Sequence, residues 1–183
     1  MRHLPNLICL LRIALVWPTL AAVRSGAYAA ALALFVVAAL SVGLDGYLAK
    51  RFGWTSALGR VLDPLADKLL LMSVFVAGAW LGLIPWWLSA AVVARDVMIG
   101  LGALVYRLWF GPLHGRPTVV SKVNTAAQLL YVAFVLLHAA CGQPPQAFMD
   151  AAGVITFATT VLSGVHYLVT FTRRAWLLPA GSP

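Results

Sequence analysis

Long apolar runs alternate with short polar breaks along the whole chain. Apolar residues dominate 5–24, 27–49, 57–82, 86–109, 119–140 and 150–172, and each run is close to the roughly 20 residues that a helix needs to cross a bilayer. The breaks carry turn-forming Gly, Pro and Ser residues. This pattern predicts an all-α, polytopic membrane protein with about six transmembrane helices, organised as one domain over residues 1–183.

The composition supports this assignment. The chain is 62% hydrophobic and only 10% charged, whereas about a quarter of the residues of an average soluble domain are charged. The net charge is +8, and in a membrane protein Lys and Arg at helix ends set the orientation and meet anionic headgroups. We therefore expect membrane lipids, and no nucleic acid, as partners of the basic residues.

Basic residues are unevenly distributed over the connections between the runs. The third and fifth connections contain no Lys or Arg. The basic residues around the second and fourth connections are Lys50, Arg51, Arg60, Arg107, Arg116 and Lys122. Because cytoplasmic loops are rich in Lys and Arg, we expect these two connections and both termini to be cytoplasmic.

Three of the five acidic residues lie in one short stretch, at Asp45, Asp63 and Asp67. Asp63 and Asp67 are four residues apart and therefore share one face of a helix. A carboxylate at membrane depth is unfavourable by about 2.5–3.5 kcal/mol, and converging carboxylates repel each other unless a cation lies between them. Carboxylate oxygens are ligands that Mg²⁺ prefers, so a divalent-cation site is one interpretation.

A structural role is the alternative for the same carboxylates. Asp63-Pro64 is typical of a helix start, with Asp as the N-cap and Pro in the first turn. Asp67 could pair with Lys68 or Arg60 at the membrane interface. The spacing alone leaves both interpretations open.

The acidic stretch resembles the signature of the CDP-alcohol phosphatidyltransferase family, which reads Asp-x-x-Asp-Gly-x-x-Ala-Arg, eight residues, Gly, three residues, Asp, three residues, Asp. The residues in register with it are Asp45, Gly46, Ala49, Gly59, Asp63 and Asp67. Two positions differ, since Val42 occupies the place of the family's first Asp and Lys50 that of its Arg. Lys50 keeps the charge without the bidentate fork of Arg, and Val42 cannot ligate a metal.

The resemblance implies an enzyme of phospholipid biosynthesis. It would transfer the phosphatidyl group of CDP-diacylglycerol to an alcohol, release CMP and use two Mg²⁺ or Mn²⁺ ions. By the same resemblance the metal ligands would be Asp45, Asp63 and Asp67, with Asp67 also acting as the catalytic base. The residues lining the CDP pocket would be Gly46, Ala49, Lys50 and Gly59. Because Val42 replaces a metal ligand, we expect impaired activity.

The same resemblance carries expectations about assembly and location. It implies a homodimer, and we expect the protein to lie in the cytoplasmic membrane of a bacterium. The active site would face the cytoplasm, where nucleotide-linked substrates are found.

A second polar group lies downstream of the acidic stretch. Arg95-Asp96 interrupts the fourth apolar run, and a polar segment follows at 115–128. We expect the acceptor's phosphate to be bound by Arg95, Arg116, Ser121, Lys122 and Asn124. Alternatively, Arg95-Asp96 is a local ion pair and Lys122 only anchors the topology. The segment is more similar to the family's cardiolipin synthases than to its phosphatidylglycerophosphate synthases, which slightly favours phosphatidylglycerol over glycerol-3-phosphate as the glycerol-type acceptor.

Two other functions are compatible with these residues. Val42 favours a catalytically inactive homologue that still binds CDP-lipid. A non-enzymatic membrane protein whose carboxylates coordinate ions is the other possibility, but it assigns no role to Gly46, Ala49 and Gly59.

Overall fold

The computed structural model describes the backbone of residues 4–52, 59–110 and 118–177, and the side chains of residues 10–41, 68–105, 118–170 and 172. The described residues form six α-helices and no strand, which confirms the predicted all-α class. The helices are α1 Leu4–Arg24, α2 Tyr28–Phe52, α3 Gly59–Trp80, α4 Trp86–Phe110, α5 Val119–Cys141 and α6 Gln146–Leu177. Their bounds agree with the six apolar runs to within a few residues, except that α6 extends five residues beyond the predicted end.

The helix ends follow from local turn chemistry. Thr118 is the N-cap of α5, and its hydroxyl accepts a hydrogen bond from the Ser121 N–H at 3.3 Å. Gly142 ends the same helix at a φ of 72°, a conformation that Gly adopts without the Cβ clash of other residues, and its N–H donates to the His138 carbonyl at 2.8 Å. Gly82 has a φ of 73° in the turn between α3 and α4. These glycines close tight turns between antiparallel helices.

The helices pack in a ring. Going round it, α1 contacts α3, α3 contacts α4, α4 contacts α6, α6 contacts α5, α5 contacts α2, and α2 contacts α1, while α3 and α5 also meet across the middle. The centre is apolar: the rings of Phe75 on α3 and Tyr131 on α5 stack with centroids 6.2 Å apart. As a result α1 lies against both α2 and α3, the helices that carry the acidic stretch.

Hydrogen bonds give the relative directions of the helices. Ser89 on α4 donates to the Phe75 carbonyl on α3 at 2.6 Å. Seven residues further along α4, Asp96 accepts from Lys68, which is seven residues earlier in α3, so the two helices are antiparallel. Arg95 meets Ser163, and one turn further Tyr167 donates to the Ile99 carbonyl, so α4 and α6 are parallel. Therefore the start of α3, the end of α4 and the end of α6 lie at one end of the bundle, which we call the polar end.

The end of α2 belongs to the polar end as well. The connection 53–58 spans at most about 25 Å when fully extended, whereas α3, with 22 residues, is about 33 Å long. The connection is too short to run along a helix, so α2 must end where α3 begins. Asp45 on α2 and Asp63 and Asp67 on α3 therefore occupy the same half of the bundle.

The outer surface is apolar, as expected of a protein surrounded by lipid. Three helical segments within the described residues are long and apolar enough to cross a membrane, namely Trp86–Val105, Val119–Cys141 and Gln146–Thr170. Tyr28–Ser41 and Lys68–Trp80 are shorter apolar segments of α2 and α3. Large apolar side chains such as Leu101 and Leu162 are exposed on the outside. The chain is therefore an integral membrane protein, and a count of six spans remains a prediction.

Candidate functional site

The backbone of α2 and α3 carries the acidic signature. Asp45 lies in the last third of α2, Gly59 is the first residue of α3, and Asp63 and Asp67 follow on α3. The side chains of these residues lie outside those that the structure describes. The same holds for the other predicted site residues Val42, Gly46, Ala49, Lys50 and Arg116.

The structural alternative for the carboxylates finds little support. Helix α3 already begins at Gly59, so Asp63 lies inside the helix and is not its N-cap. Lys68, one of the two partners considered for Asp67, donates from Nζ to Asp96 Oδ1 at 2.5 Å. Asp63 thus does not have the capping role, and Lys68 already forms an ion pair with a carboxylate other than Asp67.

A buried ionic cluster lies directly beside the signature. Asp96 Oδ1 on α4 accepts hydrogen bonds from two cations, Lys68 Nζ on α3 at 2.5 Å and Arg95 Nη1 at 2.6 Å. The side chains of Arg95 and Asp96 are 5% and 2% exposed, and that of Lys68 is 36% exposed. Lys68 follows Asp67 in α3, so the cluster begins one residue from the signature. The predicted Arg95-Asp96 ion pair is present, and it is part of a larger group.

The other branch of the Arg95 guanidinium reaches α5 and α6. Its Nη2 donates to Ser121 Oγ at 2.8 Å and also to Ser163 Oγ. Its Nε is buried and has no hydrogen-bond partner among the described residues. One guanidinium thus joins three helices.

The charges of this cluster do not balance. Two cations share a single carboxylate, so one positive charge in a largely buried position lacks a compensating charge within the cluster. An uncompensated buried charge is strongly unfavourable, and a phosphate oxygen is a suitable partner for an ammonium and a guanidinium N–H. The arrangement can therefore bind a phosphate group, with the partly exposed Lys68 ammonium as its accessible donor.

The two remaining predicted acceptor-binding residues with described side chains, Lys122 and Asn124, differ in their exposure. Lys122 is exposed and lines a shallow groove of about 300 Å³ along α5 with Ser121, Thr125, Ala126 and Leu129. Because Ser121 also bonds Arg95, the groove adjoins the ionic cluster.

Asn124 lies one turn further along α5 and is fully buried against α6. Its Oδ1 accepts from Thr159 and Thr160 at 3.1 and 2.9 Å, and its Nδ2 has no partner among the described residues. The structure thus brings Arg95 and Ser121 into direct contact, and places Lys122 and Asn124 on either side of Ser121.

Sequence reasoning missed two members of the cluster. Lys68 was considered only as a partner of Asp67, although an ammonium inside an apolar helix signals a buried or interfacial partner. Ser163 carries no such signal, because a single Ser in an apolar run is common in membrane helices and often only contributes to packing.

The fold and this site define a class: a polytopic helical membrane protein with an acidic signature and an adjoining buried cationic cluster. The model of the CDP-alcohol phosphatidyltransferase family matches residues 2–170. The chain belongs to this family.

Named relatives agree with the assignment. The chain is 33% identical to the cardiolipin synthase (CMP-forming) of Streptomyces coelicolor over 93% of this chain and 83% of that protein. It is 32% identical to the cardiolipin synthase (CMP-forming) of Rattus norvegicus, over 90% of this chain and 60% of that protein. It is 29% identical to a probable phosphatidylglycerophosphate synthase of Mycobacterium tuberculosis H37Rv, over 93% and 82%. The chain thus spans about three fifths of the length of the mammalian relative.

Proposed function

We propose that the protein transfers the phosphatidyl group of CDP-diacylglycerol to a glycerol-type acceptor and releases CMP, with phosphatidylglycerol favoured over glycerol-3-phosphate. The observation that carries this proposal is the Lys68–Asp96–Arg95 cluster, in which two cations share one carboxylate among the described side chains and which begins one residue after the last Asp of the family signature. A cationic site beside the signature suits the phosphate of an acceptor. Both acceptors carry such a phosphate.

The carboxylates of the signature provide the metal-binding half of the site. The family is generally metal-dependent, and oxygen ligands from Asp45, Asp63 and Asp67 suit Mg²⁺ or Mn²⁺. Two bound ions would neutralise the diphosphate of the CDP-lipid. Gly46, Ala49, Lys50 and Gly59 would line the CDP pocket, where the small side chains leave room for the nucleotide.

The chemical step follows from these positions. Asp67 accepts the proton of the acceptor's hydroxyl, and the hydroxyl oxygen forms a bond to the phosphatidyl phosphorus. The bond from that phosphorus to the bridging oxygen of CMP breaks, and CMP leaves with the electron pair. Arg95, supported by Ser121 and Ser163, holds the acceptor's phosphate and so orients the attacking hydroxyl.

The orientation in the membrane agrees with this chemistry. The described helix ends that carry Lys50, Arg51, Arg60 and Arg107 are at the polar end of the bundle, which supports a cytoplasmic location of that end by the positive-inside rule. The proposed location is a bacterial cytoplasmic membrane, with the site open to cytoplasmic nucleotide-linked lipid, and the proposed assembly is a homodimer.

The function can be tested by measuring CMP release from CDP-diacylglycerol by the purified protein, with each acceptor in turn. Release with phosphatidylglycerol and not with glycerol-3-phosphate would support the favoured acceptor, and the reverse result would replace it. Binding of CDP-diacylglycerol without CMP release at any Mg²⁺ or Mn²⁺ concentration would favour the inactive homologue.

Lys122→Ala should weaken acceptor binding without weakening CDP-lipid binding. Lys122 lines the groove that adjoins Ser121 and Arg95, and an exposed charge contact contributes up to about 1 kcal/mol. We expect the KM for the acceptor to rise about two- to fivefold while the KM for CDP-diacylglycerol is unchanged. Arg116→Ala should act in the same way. Arg24→Ala, at the exposed end of α1, is the control, and equal changes in both KM values would assign Lys122 to another role.

Val42→Asp should raise turnover at least tenfold, which corresponds to about 1.4 kcal/mol of barrier. A fourth carboxylate adds an oxygen ligand and a negative charge, so the second ion binds more readily before substrate arrives. The Mg²⁺ concentration for half-maximal activity should fall at the same time. Val42→Asn is the control, because it adds an oxygen ligand without the charge. Ordinary enzyme rates in the unmodified protein, together with no change in Val42→Asp, would show that the first Asp is dispensable here.

A further inference from the structure

Arg12 is a buried charge in the middle of an apolar helix. Its side chain on α1 is 1% exposed, and a guanidinium stays protonated in proteins. Its Nε donates to Ser41 Oγ on α2 at 3.2 Å, and Ser41 in turn donates to the Ala38 carbonyl at 2.7 Å. A guanidinium buried to this degree is stable in a folded protein only with a carboxylate nearby.

The chain has five side-chain carboxylates, and two of them are unsuitable. Asp150 is exposed near the start of α6, at the end of the bundle away from the acidic signature, and accepts from Gln146. Asp96 lies on α4 and already serves Lys68 and Arg95. The remaining three are Asp45, Asp63 and Asp67 of the signature, which lie on the two helices that α1 packs against.

The positions of Ser41 and Asp45 in α2 indicate which of these three carboxylates is near Arg12. Ser41 is on the face of α2 that meets Arg12, and Asp45 follows it by four residues in the same helix. Residues i and i+4 lie one above the other on a helix face, about 6 Å apart. Asp45 therefore lies one turn from the contact between Ser41 and Arg12, on the same face of α2.

We propose that Arg12 pairs with Asp45 and is the fixed counter-charge of the acidic signature. Arg12 is then a positioning residue that keeps Asp45 ionised and oriented, and Ser41 orients Arg12. The pairing itself requires no transferase activity, whereas its consequence for metal binding rests on the proposed function.

The consequence concerns the order in which ions bind. Three carboxylates and one guanidinium carry two net negative charges, which a single divalent ion neutralises. The charge of a second ion is matched by the two negative charges of a diphosphate. We therefore expect one ion in the protein without CDP-lipid, and entry of the second ion together with the lipid.

The pairing is tested by a double-mutant cycle on the full chain in detergent, with melting temperatures recorded in excess EDTA. Arg12→Gln and Asp45→Asn should each lower the melting temperature by about 5 °C or more, since each leaves one buried charge unpaired. The double variant should melt well above the value expected from adding the two losses. Arg24→Gln, the same substitution at an exposed position of α1, should leave the melting temperature unchanged.

Two results would overturn the pairing. The first is additivity of Arg12→Gln and Asp45→Asn, and the second is coupling of Arg12→Gln to Asp63→Asn or Asp67→Asn in place of Asp45→Asn. If Arg12→Gln alone does not fold, the cycle is run with Arg12→Lys, which keeps the charge but loses the fork, and the same two criteria apply.

The consequence for metal binding has a separate readout, a Mn²⁺ titration followed by electron paramagnetic resonance without CDP-lipid. The unmodified chain should bind one ion, and Arg12→Gln should bind it about tenfold more tightly because a neighbouring positive charge is gone. Binding of two ions at equal affinity would overturn the proposed order. No Mn²⁺ binding with the thermal coupling intact would contradict the proposed metal site while supporting the Arg12–Asp45 pair.

Discussion

Asp67→Asn should reduce CMP release at least a hundredfold while the protein remains folded. Asparagine has nearly the same size as aspartate, but it cannot accept the proton of the attacking hydroxyl and contributes no negative charge to a metal site. Loss of general-base catalysis alone accounts for about 10²–10⁴ in rate, and loss of a ligand charge adds to it. The measurement is kcat for CMP release at saturating Mg²⁺ and substrates, with the melting temperature of the same sample.

The control for this substitution is Asp150→Asn. Asp150 is exposed near the start of α6, and its Oδ1 accepts only a local hydrogen bond from Gln146 at 2.9 Å among the described contacts. The same chemical change there should leave kcat unaltered. If Asp67→Asn retained more than a tenth of the activity, Asp67 would not be the base, and the proton would have to go to another group.

Asp96→Asn should destabilise the protein more than any exposed substitution. Asp96 is the one carboxylate shared by Lys68 and Arg95, and its side chain is 2% exposed. Its removal deprives two neighbouring cations of the carboxylate that they share, and breaking a buried pair in this way is unfavourable by about 3–5 kcal/mol. For a chain of this size we expect the melting temperature to fall by about 10 °C. Thermal unfolding in detergent measures it.

Lys68→Met provides the matched comparison. Lys68 is 36% exposed, and its removal leaves Asp96 still paired with Arg95, so the loss should be much smaller than for Asp96→Asn. Added inorganic phosphate should partly restore Asp96→Asn, because it supplies the missing negative charge. Equal losses in the two variants would mean that Asp96 is not the centre of the cluster.

Several features were readable from the chain without a structure. The six helices follow from the length of the apolar runs and from breakers such as Gly82 and Gly142, because helix length and turn chemistry are local properties. The family signature is likewise a matter of spacing, since Asp63 and Asp67 must share a face of any helix that contains them. The buried Arg95-Asp96 pair was one of two interpretations, because neighbouring residues of opposite charge in an apolar run must either pair or bind something.

The helices, the membrane environment and the acidic signature can therefore be derived from the sequence. Which helices are neighbours follows only from the folded structure, since one apolar helix face resembles another and the pattern does not rank them. The packing of the helices places Lys68 next to Asp96 and brings Ser163 into contact with Arg95, which is 68 residues earlier in the chain. It also places Arg12 on α1 next to Ser41 on α2. The composition of the buried ionic cluster and the proposed counter-charge of the signature both depend on that packing, because ion pairs between helices form only where the helices meet.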